Sequence, residues 1–186
     1  MTPFPNKKYQ TIYIDPPWRY NAKNPTCKIE KQPRTCSVEY YYQTMKIKDI
    51  KNLPIKDISD TDCVLFLWVT TPLLDKGFEV IKAWEFKYKT TITWGKTNND
   101  CMGYWFRVCT EHLLVGIKGN VKAFRSMERT LREEPRLSHS RKPQYFRNLI
   151  SSIRTGSKIE LFARPPKDKL FEDKSYEGWD LWGNEC

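Results

Sequence analysis

Tyr9-Gln10-Thr11-Ile12-Tyr13-Ile14-Asp15-Pro16-Pro17-Trp18 is the stretch whose reading decides the fold. Its first six residues alternate and are rich in β-branched and aromatic side chains, which favours a strand; the proline pair ends that strand because proline has no N–H to give a ladder. Strand one therefore ends in a carboxylate, Asp15. Working outward, Met45 to Leu53 carries apolar residues at helical spacing before Pro54, a short helix. Cys63-Val64-Leu65-Phe66-Leu67-Trp68-Val69 is continuously apolar, as a strand covered on both faces is. Thr70-Thr71-Pro72 then opens a helix from Leu73 to about Trp84, with proline near its first turn. Tyr88 to Trp94, His112 to Ile117 and Ser157 to Ala163 repeat the strand signature, and Gln144 to Ile153 places Phe146, Leu149, Ile150 and Ile153 at helical spacing. This alternation predicts an α/β fold with a mostly parallel central sheet flanked by helices. The intervals 21–37, 97–104 and 123–142 are polar or basic and read as loops over one rim. With no internal repeat and no linker, residues 1–186 are expected to form a single domain.

Lys and Arg total 32 against 22 Asp and Glu, so the chain of 186 residues carries +10 with both histidines neutral. Such a surplus suits a polyanionic partner, with nucleic acid the first candidate. The longest apolar run, Cys63 to Val69, is far short of the roughly 20 residues a bilayer helix needs, and residues 1–8 lack a secretory apolar core. No membrane association is expected, and the cytoplasm of a bacterial or phage-infected cell is the expected location. The six cysteines make no C-x-x-C pair and are expected to be free thiols. Cys109, Glu111 and His112 alternate along a strand and have no second ligand pair, so no metal site is expected.

Asp15-Pro16-Pro17-Trp18 carries the chemistry. In an open α/β sheet the ligand crevice lies outside the carboxyl ends of the strands, which puts a carboxylate, a rigid proline pair and an indole at its mouth. For an isolated tetrapeptide, an ordinary turn with a packed tryptophan is the plainer reading. The functional reading starts from the exocyclic amine of a nucleic-acid base, a poor nucleophile because its lone pair is delocalised into the ring. A carboxylate and a proline carbonyl accepting its two N–H groups push density back onto the nitrogen. Trp18 is suited to stacking on the base, worth about 1–3 kcal/mol.

Tyr42-Gln43-Thr44-Met45, Phe66-Leu67-Trp68-Val69-Thr70, Trp94-Gly95-Lys96-Thr97 and Glu111-His112-Leu113-Leu114-Val115-Gly116 follow in order. Ser140-Arg141-Lys142-Pro143, Lys158-Ile159-Glu160-Leu161-Phe162-Ala163-Arg164 and Gly178-Trp179 with Trp182-Gly183-Asn184-Glu185 complete the series. With these motifs in this order, nearly the whole chain resembles the N6-adenosine methyltransferase family named after its seventy-kilodalton subunit. The resemblance implies a Rossmann-like methyltransferase fold, S-adenosylmethionine as donor with S-adenosylhomocysteine as product, and adenine N6 as acceptor. It implies that Asp15, Pro16, Pro17 and Trp18 are the catalytic set, Asp15 and the Pro16 carbonyl holding the amine. The Asp15 charge also suits the donor's sulfonium. It further implies that Asp15, Lys142, Phe162, Arg164, Asn184 and Glu185 form the donor site. Lys142 and Arg164 are suited to its carboxylate or ribose, Asn184 and Glu185 to ribose hydroxyls, and Phe162 to its adenine. Without the resemblance, Lys142 and Arg164 read as solvated surface charges and Asn184 and Glu185 as a frayed tail. Glu160 alternates with Ile159 and Leu161; the resemblance turns its carboxylate into the site. Direct displacement needs alignment rather than a dedicated base, so His112 and His139 are expected to be structural.

Arg19, Tyr20, Tyr42, Lys96, Arg107 and, through the resemblance, Glu160 are the expected target contacts, with Arg125, Arg129 and Arg132 as further rim cations. About half of such charges are ordinarily bystanders. Residues 27–36 and 125–136 match no family pattern, which makes those loops the expected seat of target choice. The compact build looks like the bacterial and phage relatives, which favours DNA over RNA. An RNA N6-adenosine methyltransferase and a non-catalytic nucleic-acid-binding subunit are the alternatives; intact catalytic and donor motifs favour the enzyme. With so small a domain, specificity is expected to come from the rim loops, a partner subunit or a homodimer. Methylation of cytosine N4 uses similar proline motifs, but Trp18 and the later motifs point to adenine.

Overall fold

The computed structural model describes residues 3–20, 44–98, 105–136, 141–163 and 176–183. The described strands are β1 (Tyr9–Ile14), β2 (Ser59–Thr70), β3 (Lys87–Lys96), β4 (Thr110–Lys118), β5 (Leu131–Glu134), β6 (Lys158–Leu161) and β7 (Trp179–Trp182). They form one sheet in the order β5-β3-β4-β2-β1-β6-β7. The described helices are α1 (Ile47–Lys51), α2 (Ile55–Ile58), α3 (Leu74–Ala83) and α4 (Gln144–Ile153). The sheet is mostly parallel: β1 runs parallel to β2 and β6, β6 to β7 and β3 to β5, while β4 runs antiparallel to both of its neighbours.

The sheet is covered on both faces, which is why β2 reads as a continuous apolar run. On one face Ile50, Ile55, Ile58, Val80 and Ile81 of the first three helices pack on Ile12, Ile14, Leu65 and Leu67. On the other, Phe146 and Ile150 of α4 pack on Tyr13, Val64, Phe66, Trp68 and Trp94. The spans of β1 and α4 are those expected from periodicity. Between β2 and α3, Thr71–Leu73 forms one 3-10 turn with Pro72 in it.

The interval 123–142, expected to be loop throughout, contains β5. Its Leu-Arg-Glu-Glu stretch has no apolar period because only its backbone is used: it pairs with β3 on one side, and its first three side chains are exposed. Charged side chains on an exposed edge also discourage further strand addition. Among the described residues the four-residue β7 is likewise an edge strand, expected only as part of a motif and not as a strand. The interval 21–37 lies outside the described residues. Free thiols were expected throughout. Cys63 is free and buried, and burial pushes its pKa up to about 12. Cys109 is disulfide-bonded, which overturns that expectation there. Among the described residues no helix is long and apolar enough to cross a membrane.

The turn after β4 depends on Gly119, whose φ is +73° and whose position leaves only 2.2 Å between an added Cβ and the Thr61 carbonyl oxygen. The same turn is closed by the Asn120 N–H donating to Asp62 Oδ1 at 2.7 Å. Gly119→Ala therefore combines a left-handed backbone with a backbone clash, and is expected to cost about 2–4 kcal/mol. Urea denaturation measures it; an unchanged midpoint contradicts the need for glycine.

Candidate active site

The carboxyl ends of β1, β2, β3 and β6 share a rim with the start of β4, because Thr70 lies opposite Glu111 and Gly95 opposite Thr110 in the antiparallel ladders. Asp15 follows β1 directly at that rim. Alternation places it on the same face as Tyr13, the face covered by α4. Lys142 reaches the rim from just before α4, with Pro143 as the residue that starts the helix.

The rim carries a ladder of alternating charge. Lys142 Nζ donates to Asp15 Oδ2 at 2.7 Å and stands 3.2 Å from Glu111 Oε2. Lys96 Nζ donates to the other oxygen of Glu111 at 2.6 Å. Beneath the ladder lie two indoles: Lys142 Nζ is 5.3 Å from the Trp68 ring centroid and Lys96 Nζ 5.1 Å from that of Trp94. Trp68 and Trp94 meet edge to face at 6.2 Å. The lysine side chains are 14 % and 13 % exposed, Asp15 27 %, so the charges are largely withdrawn from water.

Burial alone pulls Lys142 toward a lower pKa, but the carboxylates of Asp15 and Glu111 more than reverse it and hold the ammonium above the ordinary lysine range. Glu111 is the mirror case. Burial pushes its pKa up, and the attraction of Lys142 and Lys96 brings it below the ordinary carboxylate value. Both groups are charged at neutral pH. His112, half-buried with Nε2 against Thr71 Oγ1 and Nδ1 against Thr93 Oγ1, has its pKa lowered by burial.

The Asp-Pro-Pro-Trp turn is fixed by backbone bonds. The Trp18 N–H donates to the Pro16 carbonyl at 2.8 Å, and the Met45 N–H to the Pro17 carbonyl at 2.7 Å. Trp18 itself is 4 % exposed, its indole N–H donating to the Trp68 carbonyl at 2.9 Å. The expectation that it stacks on a base is corrected accordingly: its ring is core, and it bolts the turn to the end of β2. Trp68 continues the chain by donating its indole N–H to Tyr13 Oη at 2.7 Å.

Glu160 is corrected in the same way. It does turn inward on the Asp15 face, but beneath α4, where Arg147 grips both carboxylate oxygens at 2.6 and 3.1 Å. The Arg147 guanidinium stacks on Tyr176 at 3.8 Å. Glu160 is thus a strut between β6 and α4 rather than a target contact.

Of the other expected residues, Lys96 and Lys142 come together in the ladder. Tyr20 lies on the rim with its hydroxyl against Thr70 Oγ1, and Arg19 is exposed. Arg107 is exposed on the segment entering β4. Phe162 ends β6 with a left-handed φ of 60° and packs edge to face on Trp182 at 5.3 Å. Its N–H donates to the Trp182 carbonyl at 2.6 Å, and an added Cβ on Gly183 would stand 3.1 Å from the Phe162 Cα. Tyr42, Arg164, Asn184 and Glu185 lie outside the described residues. Glu111 is a site residue that the sequence pattern does not single out, because its signal is a long-range charge pairing that spacing does not reveal. Among the described residues no group of three or more acidic, histidine or cysteine side chains is arranged to hold a metal.

The MT-A70 family model matches residues 9–185. The chain belongs to the MT-A70 family. MT-A70 proteins are Rossmann-like adenine-N6 methyltransferases, and the fold described above is of that kind. Among MT-A70 relatives, the "Type II methyltransferase M.MunI" of Mycoplasma sp is 34 % identical over 97 % of this chain and 79 % of its own length. The human "N(6)-adenosine-methyltransferase catalytic subunit METTL3" is 30 % identical over 85 % of this chain, and a putative MT-A70-like N(6)-adenosine-methyltransferase of Medicago truncatula is 28 % identical over 96 %. The chain spans 26 % of the length of each of these two eukaryotic relatives.

Proposed function

We propose that the chain transfers a methyl group from S-adenosylmethionine to N6 of adenine in nucleic acid, DNA rather than RNA, as a single domain acting in the cytoplasm of a bacterial or phage-infected cell. The observation that carries this reading is the position of Asp15 directly after β1, at the rim, within a family match over nearly the whole chain.

The donor is a sulfonium zwitterion, and the residues present fit it: the Asp15 carboxylate and Lys142 ammonium, 2.7 Å apart, offer one charge of each sign. When bound, the donor supplies an electrophilic methyl group. Asp15, Lys142, Phe162, Arg164, Asn184 and Glu185 are the residues assigned to hold it. The left-handed φ of Phe162 supports that assignment, because backbone strain in a non-glycine residue persists where the surroundings demand it and clusters at ligand sites.

For the acceptor, Asp15 and the Pro16 carbonyl accept the two N–H bonds of the adenine amine and raise its electron density. The carbonyl has a second lone pair besides the one used by Trp18 N–H. Lys142 holds Asp15 in place through its 2.7 Å hydrogen bond. Once methylated, the amine is acidic enough to lose its proton without a dedicated base. Arg19, Tyr20, Tyr42, Lys96 and Arg107 are assigned to the target strand, whose adenine must leave a duplex stack before Asp15 can reach it.

DNA is favoured because the identity to the type II methyltransferase is higher and extends over more of this chain than the identity to METTL3. RNA is the second reading, favoured by the N(6)-adenosine-methyltransferase relatives. Transfer of labelled methyl to duplex DNA, single-stranded DNA and RNA, followed by nucleoside analysis, tests both. N6-methyladenine in DNA is the expected product. N6-methyladenosine in RNA alone replaces the first reading by the second, and donor binding without transfer to any polymer identifies a non-catalytic subunit.

A further inference from the structure

Trp105 and Phe106 are 93 % and 85 % exposed, although the core takes up tryptophans elsewhere in the chain. Single exposed apolar residues are ordinary, but two adjacent bulky rings left in water are not. Their place gives them a use. The chain enters β4 at the active-site rim, and Cys109, whose carbonyl accepts the Lys96 N–H at 2.9 Å, lies four residues after Trp105. Four residues of chain reach at most about 14 Å, so the pair stays within a few nucleotides' length of the Lys96–Glu111 end of the ladder.

The sequence at this point is Tyr104-Trp105-Phe106-Arg107, a run of rings closed by a cation that is exposed as well. On a chain carrying +10, that combination matches a polyanion whose bases have flat faces and whose backbone is negative. We propose that Trp105 and Phe106 form a stacking platform for an unpaired base of the target strand, beside the adenine held at Asp15, with Arg107 on the adjoining phosphate. This rests on the nucleic-acid reading above and deepens it. Stacking accepts any base, so the platform holds the strand open without adding sequence preference.

The test uses the full chain and an oligothymidylate, which has no adenine to methylate. Its addition is expected to quench tryptophan emission. Trp105→Phe is expected to keep the affinity and lose most of that quench. Trp105→Ala with Phe106→Ala is expected to weaken binding about tenfold, leaving donor binding and melting temperature unchanged. The salt dependence of binding is expected to stay the same, since no ion pair is removed. Unchanged affinity in the double alanine variant overturns the platform. So does sedimentation showing a wild-type dimer that this variant splits, which makes the rings a contact between two copies of the chain. Methyl transfer by the wild type with an unaffected double variant sinks the platform alone. Quenching without methyl transfer to any polymer sinks the enzyme reading alone.

Discussion

Asp15→Asn is expected to lower kcat for methyl transfer by about a thousandfold or more while the protein still folds and donor binding weakens far less. The substitution keeps the shape and one acceptor oxygen but removes the charge. That charge is what the developing cation on the adenine nitrogen feels, in a site where side chains are largely withdrawn from water and electrostatic effects are correspondingly strong. Removal of one preorganised group of this kind typically costs about 10²–10³ in kcat, and here the amide also presents an N–H₂ where an acceptor is needed. Lys142 retains Glu111 at 3.2 Å, so its charge remains compensated and collapse of the site is not expected. Single-turnover transfer to an adenine-containing oligonucleotide reads the effect, with donor titration and thermal melting as controls. Near-wild-type turnover excludes Asp15 as the residue that holds the amine. A parallel loss of donor affinity and melting temperature shows instead that its charge serves the ladder.

The elements legible in advance were those whose side chains carry a period. β1 and α4 bury one consistent face each, and β2 is apolar throughout because helices cover both of its faces; local pattern and tertiary burial agree there. β5 was illegible for the opposite reason: its stability lies in backbone bonds to β3, which leave no mark on its Leu-Arg-Glu-Glu side chains. The site divides along the same line. Asp15 was legible because a strand, a proline pair and a carboxylate are adjacent in the chain. Glu111 was not, since what defines it is Lys142 and Lys96, brought to it by α4 and β3. Trp18 shows the limit of a motif: the tetrapeptide locates the turn, but only the bond to the Trp68 carbonyl tells which way its indole points.

Glu111→Ala is the sharper test of the ladder, because it removes the one anion shared by two ammoniums. Lys96 and Lys142 would then face each other across a largely buried gap, with Asp15 the ladder's remaining carboxylate. Breaking a buried ion pair by deleting one partner ordinarily costs about 3–5 kcal/mol, and the low end is expected here because the site opens to solvent at the rim. The pH dependence separates charge from packing. The pKa of Glu111 in the folded protein lies below its ordinary 4.5, so its contribution is fully present above that value and is lost as pH falls through the folded value. The pKa of Lys142 is raised above 10.5, so its contribution is complete below that value and is lost only as pH rises through the folded one. The stability gap between wild type and Glu111→Ala is therefore expected to be widest between about pH 5 and 10 and to shrink in acid. Urea denaturation across that range measures it. A gap of equal size at pH 7 and at pH 3 assigns the loss to missing packing against Trp68 and Trp94, and removes the electrostatic account of how Lys142 is held against Asp15.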